Sequence, residues 1–159
     1  MSAKASYVKR ARKDYPAHNI KRGESYWWWK FNFAPKQVSK TRPRRSQLTR
    51  SDFWGAIYDM QDANGDGPRL GDIENRIIDI TAMLEEIRNE VQNKLDSMPE
   101  ALQEASVLNG RIAACEEAIN TLNAVEVPIP ALDGDGNDEE KADEVWQEVI
   151  DALDNISCD

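Results

Sequence analysis

Cysteine is scarce in these 159 residues: Cys115 and Cys158 are the only two. They lie far apart, so they build neither a disulfide framework nor a metal cluster, and they fit a reducing compartment. Long apolar runs are missing as well, and nothing approaches the roughly 18–20 residues that a membrane span needs. The charged start MSAKASYVKRARKDY is followed by no apolar stretch, so no secretory signal is expected. Histidine occurs once, as His18, with no cysteine and no G-x-S-x-G elbow beside it. A Walker loop, a G-x-G-x-x-G and an H-E-x-x-H are all absent. Together these absences argue against catalysis, a bound cofactor or a metal site. They leave a non-enzymatic, cytoplasmic protein as the expectation.

What is present is charge, unevenly placed. The formal net charge is −9, with 31% charged and 40% apolar residues. A mean hydropathy of −0.69 suits an elongated or surface-rich architecture. Residues 1–50 hold 14 Lys+Arg against 2 Asp+Glu, about +12, whereas residues 51–159 hold 6 against 27, or −21. An acidic whole therefore contains a basic third, and for nucleic-acid binding the local field is what matters.

The pattern along the chain predicts an α+β protein. Strands are expected between Ser6 and Thr41: a weak one at SYVKRAR, an aromatic one after the KRGES turn, and a third at QVSKT following Pro35. A short helix should follow, opened by a capping-box spacing from Thr49 to Asp52 and carrying Phe53, Trp54, Ile57 and Tyr58 on one face. This basic aromatic module spans residues 1–62. Ile73, Ile77, Ile80, Leu84, Ile87, Val91 and Leu95 then recur at heptad-like intervals. A turn at Ser97-Met98-Pro99 and a second stripe from Leu102 to Leu122 complete an antiparallel helical hairpin over 71–124. Its stripes are wide for a single partner, so a homo-oligomer through 71–124 is expected. An acidic linker at 125–140 leads to an amphipathic helix at 141–157.

The stretch YWWWKFNF, residues 26–33, concentrates aromatic surface. Read as one strand, it puts Trp27, Trp29, Phe31 and Phe33 on one face and Tyr26, Trp28, Lys30 and Asn32 on the other. The helix should cover the wholly apolar set, leaving Trp28 and Tyr26 on an open side. An exposed indole beside cations is a platform for stacking bases, while Lys and Arg neutralise phosphates. Lys9, Arg10, Arg12 and Lys13 form one basic cluster; Lys40, Arg42, Arg44 and Arg45 form another. In TRPRRS, proline holds the backbone extended, so the guanidiniums could follow a phosphate rail, although the Gly-Arg-Pro centre of an AT-hook is missing. The expected nucleic-acid contacts are Lys9, Arg10, Arg12, Lys13, Trp28, Lys30, Arg42, Arg44 and Arg45. A rival use of the same cations is docking on carboxylates of this chain or of a neighbour.

Two loops imitate calcium sites. Asp62, Asn64, Asp66 and Gly67 match the opening of an EF-hand loop, but its twelfth position is Ile73; Asp133, Asp135, Asn137 and Glu144 match a second, where Asp138 replaces the required glycine. Each lacks a necessary part, so turn chemistry is the expectation and no metal is assigned.

The run VKRARKDYPAHNIKRGESYWWWKF, continuing through VSKTRPRRSQLTRSDF, resembles a segment of small, uncharacterised proteins of tailed bacteriophages. It covers roughly residues 7–58, and the family supplies no activity or catalytic residue. The resemblance implies a phage or prophage accessory protein acting inside a bacterial cell. That context admits an alternative function, inhibition of a host defence or DNA-binding protein by a DNA-mimicking acidic or protein-binding surface. A virion component is a third.

Overall fold

The computed structural model describes residues 2–129 and 138–156. It divides into two compact units, Met1–Asp59 and Met60–Asp159. The architecture is α+β: a three-stranded antiparallel sheet of order β1-β2-β3, then helices.

In the first unit the strands are short: β1 Ser6–Val8, β2 Tyr26–Trp29 and β3 Gln37–Ser39. Register is fixed by Val8↔Tyr26, Tyr7↔Trp27 and Ser6↔Trp28 on one side of β2, and by Trp28↔Val38 and Trp27↔Ser39 on the other. Directly paired residues share a face. One face therefore carries Val8, Tyr26, Trp28 and Val38, and the opposite face Tyr7, Trp27, Trp29, Gln37 and Ser39.

The face expected to lie open, Tyr26 with Trp28, is covered too. Tyr26 and Val38 are buried in a cluster with Ala11 and Ile20, and Val8, Tyr15 and Trp28 pack against it. The cover comes from the β1–β2 connection. Ala11 is pinned by its N–H to the Glu24 carbonyl (2.7 Å), its own carbonyl accepting from the Gly23 N–H at 2.9 Å. Tyr15 and Ile20 close a smaller loop through a β-bridge. Gly23 sits at φ +93°, a conformation that side chains rarely adopt. On the Tyr7 face, Trp29 is buried and Trp27 half-buried, while Tyr7 keeps 52% of its surface. Phe31 and Phe33 are not in the strand, since β2 ends at Trp29 and residues 30–36 form the connection to β3.

Helix α1 spans Asp52–Ala63. Its first turn is capped by Ser51, whose Oγ accepts from the Trp54 N–H (3.4 Å), rather than by Thr49, whose Oγ1 accepts from the Ser51 N–H (3.2 Å). Phe53 and Ile57 are buried as their spacing predicted.

The second unit is helical. In α2, Ile73–Asp96, the stripe Ile73, Ile77, Ile80, Leu84, Val91 and Leu95 is buried. It packs on α4, Val107–Ala124, as the antiparallel hairpin predicted. The turn is longer than expected, because a four-residue helix, α3 at Glu100–Gln103, intervenes and Ser106 caps α4 by accepting from the Leu108 N–H at 3.2 Å. Leu102 therefore leaves the stripe and is 55% exposed. Helix α5, Asp138–Asp154, packs against α4 and α2 and buries Val145, Trp146, Val149 and Leu153. Helix α5 thus adds cover to the hairpin within one chain. Trp146 Nε1 donates to the Asn64 carbonyl (3.3 Å) and Gln61 Nε2 to that of Leu153 (2.8 Å), tying residues 61–64 to α5. The calcium-like positions Asp133, Asp135 and Asn137 lie outside the described residues. Asn64, from the other imitation, is fully buried with its Nδ2 donating to the Met60 carbonyl at 2.7 Å.

Candidate nucleic-acid interface

The sheet sorts the basic residues to its two ends. Because β1 and β2 run antiparallel, Lys9 and Arg10 leave β1 beside the start of β2, and Lys40 and Arg42 leave β3 at that same end. Lys30 and Lys36 stand at the other end, at the two feet of the β2–β3 connection. All nine expected contacts except Trp28 are exposed. Buried Ala11 anchors the backbone between Arg10 and Arg12, leaving those two side chains outside.

Carboxylates do little to neutralise this surface. Among the described residues of 2–59, one salt bridge forms, Lys40 Nζ to Glu24 Oε2 at 3.3 Å. Glu24 also accepts from the Lys21 N–H at 2.8 Å, and that backbone bond first, then Lys40, pulls its pKa below the ordinary carboxylate value. From Ser25 to Ser51 the chain contains no Asp or Glu and seven Lys+Arg.

Five of the cations instead lie over rings. Lys36 Nζ sits 4.3 Å from the Trp28 centroid and 5.5 Å from that of Tyr26. Arg42 lies 5.8 Å from Trp27, Arg45 4.2 Å from Tyr58, Arg50 5.2 Å from Phe31 and Lys13 5.4 Å from Tyr15. Such pairs contribute roughly 0.5–1 kcal/mol each at exposed sites. They matter in a unit of this size, which has little core.

These contacts change the site predicted from sequence. Trp28 is half-buried against the core cluster and covered by Lys36, so it is not the open platform expected of it. The exposed ring of the sheet is Tyr7, tilted 5.1 Å from half-buried Trp27 on the other face, with the Arg42 guanidinium alongside. The TRPRRS segment is not extended throughout either. Pro43 is buried, Arg45 has helical dihedrals (φ −56°, ψ −41°), and residues Ser46–Leu48 form a 3-10 turn. Arg42 and Arg45 are thereby sent to different rings, while Arg44 remains exposed. Residues the sequence pattern missed are Tyr7, Trp27, Lys36, Arg50 and Phe33. The pairing of Val8 and Val38 with the even positions of β2 was the available signal for the first two.

His18 ends an exposed 3-10 turn, Pro16–His18. No group of three or more His, Cys, Asp or Glu among the described residues could hold a metal ion. No helix among them is long and apolar enough to cross a membrane. No protein-family model matches the chain, and no curated protein or solved structure matches it.

Proposed function

We propose that residues 2–59 form a polynucleotide-binding module of a non-enzymatic accessory protein, acting in the cytoplasm of a phage-infected or prophage-bearing bacterium. Phosphates are held by the cations at both ends of the sheet, including Lys9, Arg10, Lys30, Arg42 and Arg44. A base stacks on the Tyr7–Trp27 pair. The observation that carries this is the acid-free stretch from Ser25 to Ser51, whose seven basic residues include one ion-paired lysine, Lys40. Association through residues 71–124 would use exposed Ile78, Met83, Leu102 and Val107 rather than the buried stripe.

The test is anisotropy of a labelled single-stranded 12-mer with the full chain between 50 and 200 mM salt. Each phosphate contact on a single strand contributes about −0.7 to the slope of log K against log salt. Among the described residues Arg10 and Arg44 have no ring or carboxylate partner, so Arg10→Ala/Arg44→Ala should leave the fold intact and flatten the slope by about 1.4. Salt-independent binding, or an unchanged slope in the double variant, overturns the proposal.

A second function rests on α5, whose exposed side includes Glu139, Glu140, Asp143, Glu144, Glu148 and Asp151. A surface of that sign suits a basic host protein. It predicts competition with DNA for such a protein, with no shift of free DNA.

A further inference from the structure

We propose that the tip of the β2–β3 loop selects unpaired strands, with the ring of Phe33 stacking on an unstacked base. This rests on the polynucleotide-binding assignment above and adds to it the class of ligand. Phe33 occupies the left-handed backbone region at φ 61°, where a bulky side chain is an outlier. Backbone strain of this kind is ordinarily relieved by Gly or Asn, and Asn32 stands next to it. Burial does not compensate, because Phe33 is fully exposed at 105% of its reference area. Turn chemistry and packing therefore both fail to account for a phenyl ring here.

Its surroundings fit a nucleotide. Lys30 and Lys36 flank the loop, and no carboxylate occurs in sequence between Glu24 and Asp52. Each other ring of the loop and sheet is buried or has a ring or cation partner: Phe31 has Arg50, Trp28 has Lys36, and Trp27 has Tyr7 and Arg42. Among the described Phe, Tyr and Trp residues, Phe33 alone offers an exposed ring with neither. A free π-face suits a base that is not already stacked in a duplex. One ring in a loop flanked in sequence by two lysines offers little apolar area to a bilayer. Phe33 lies six residues beyond Trp27, at most about 20 Å. A stacked strand rising about 3.4 Å per nucleotide covers that reach in about six nucleotides.

The experiment compares wild type, Phe33→Ala and Phe33→Tyr on a single-stranded 12-mer, its duplex, and phosphatidylserine-containing vesicles. Losing one base stack should weaken single-strand binding by about 5- to 150-fold in Phe33→Ala. Duplex binding and the salt slope should stay unchanged, and Phe33→Tyr should restore the affinity. Equal single-strand affinity in wild type and Phe33→Ala overturns the inference and leaves the module standing. So does an equal loss on both DNA forms, or a loss confined to vesicles. If wild type binds neither DNA form, both proposals fall.

Discussion

Adjacent tryptophans on β2 should fail in different ways when truncated. Trp28 packs against the Tyr26–Val38 cluster and lies under Lys36 at 4.3 Å. Fully buried Trp→Ala changes cost about 3–5 kcal/mol, so a half-buried ring loses roughly 2. The lost cation–π contact adds about 0.5–1 kcal/mol. Trp28→Ala should therefore destabilise the sheet by about 2–3 kcal/mol. Trp27 faces the other way and has Tyr7 at 5.1 Å as its ring partner, a contact contributing about 0.5–1.5 kcal/mol. Trp27 is half-buried as well, so its truncation should cost the fold a similar roughly 2–3 kcal/mol and, unlike that of Trp28, should also weaken binding by the roughly 1–3 kcal/mol of one stacked base. Amide exchange at Trp28 and Val38 reads the stability of this sheet directly. Anisotropy with a 12-mer, at a temperature where both variants keep that protection, reads binding. If Trp28→Ala loses affinity as steeply as Trp27→Ala while the sheet stays protected, the face assignment and the site built on it are both wrong.

The second unit supplies two further tests. A Cβ at position 67 would stand 2.9 Å from Trp146 Cδ1 and 3.1 Å from its Cγ, atoms close to the root of a buried side chain. Gly67→Ala should cost about 1–3 kcal/mol in urea unfolding and almost nothing in a Trp146→Ala background; equal costs in both would refute the contact. Burial, chiefly, pushes the Cys115 thiol from 9.0 up to about 11, with Glu116 adding to the rise and Arg88 opposing it. Because the folded state holds this proton more tightly, Cys115 favours folding below pH 9, and that contribution fades as pH climbs toward about 11. In a Cys158→Ser protein, iodoacetamide labelling at pH 8 should be slow and limited by unfolding. Labelling of the native protein at the rate of a free thiol would contradict this.

The helices were legible because their signal is redundant. Six residues of the α2 stripe agree on one buried face, so no single ambiguity could move it. Leu102 was misplaced for the opposite reason, since it stood alone beyond Pro99, where α3 and the Ser106 cap decided the geometry. The sheet carried almost no redundancy. β1 and β3 contribute one aliphatic residue each, Val8 and Val38, while β2 is aromatic on both faces. A one-residue change of register exchanges the faces of a strand, and apolar content within YWWW could not choose between them. The choice was made by Ala11 and Ile20, which reach the Tyr26 side through the Gly23 turn. The basic surface was legible as charge, but its geometry was not. Which arginine meets which ring depends on buried Pro43 and the turn at Ser46–Leu48.

Cations placed over rings give the small unit a way to be stable before it binds anything. One core cluster of the unit has four buried residues with three partly buried neighbours, and Trp29, Phe53 and Ile57 are buried besides, which leaves several aromatic faces without apolar cover. A guanidinium or ammonium shields such a face and keeps its own charge hydrated. Under the proposed function, the same arrangement sets which cations can turn to a phosphate without uncovering a ring. Arg10 and Arg44 cover no ring, whereas Arg42 and Arg45 lie over Trp27 and Tyr58. In the proposed complex, a phosphate drawing Arg42 toward itself opens Trp27 to a base, so one side chain couples the ionic contact to the stacking contact. Arg42→Lys keeps the charge but loses the planar group that shields an indole while hydrogen-bonding a phosphate. Its salt slope should match wild type while its coupling to Trp27→Ala in a double-mutant cycle disappears. A coupling that survives the lysine would mean that charge alone links the two, with no role for the guanidinium plane.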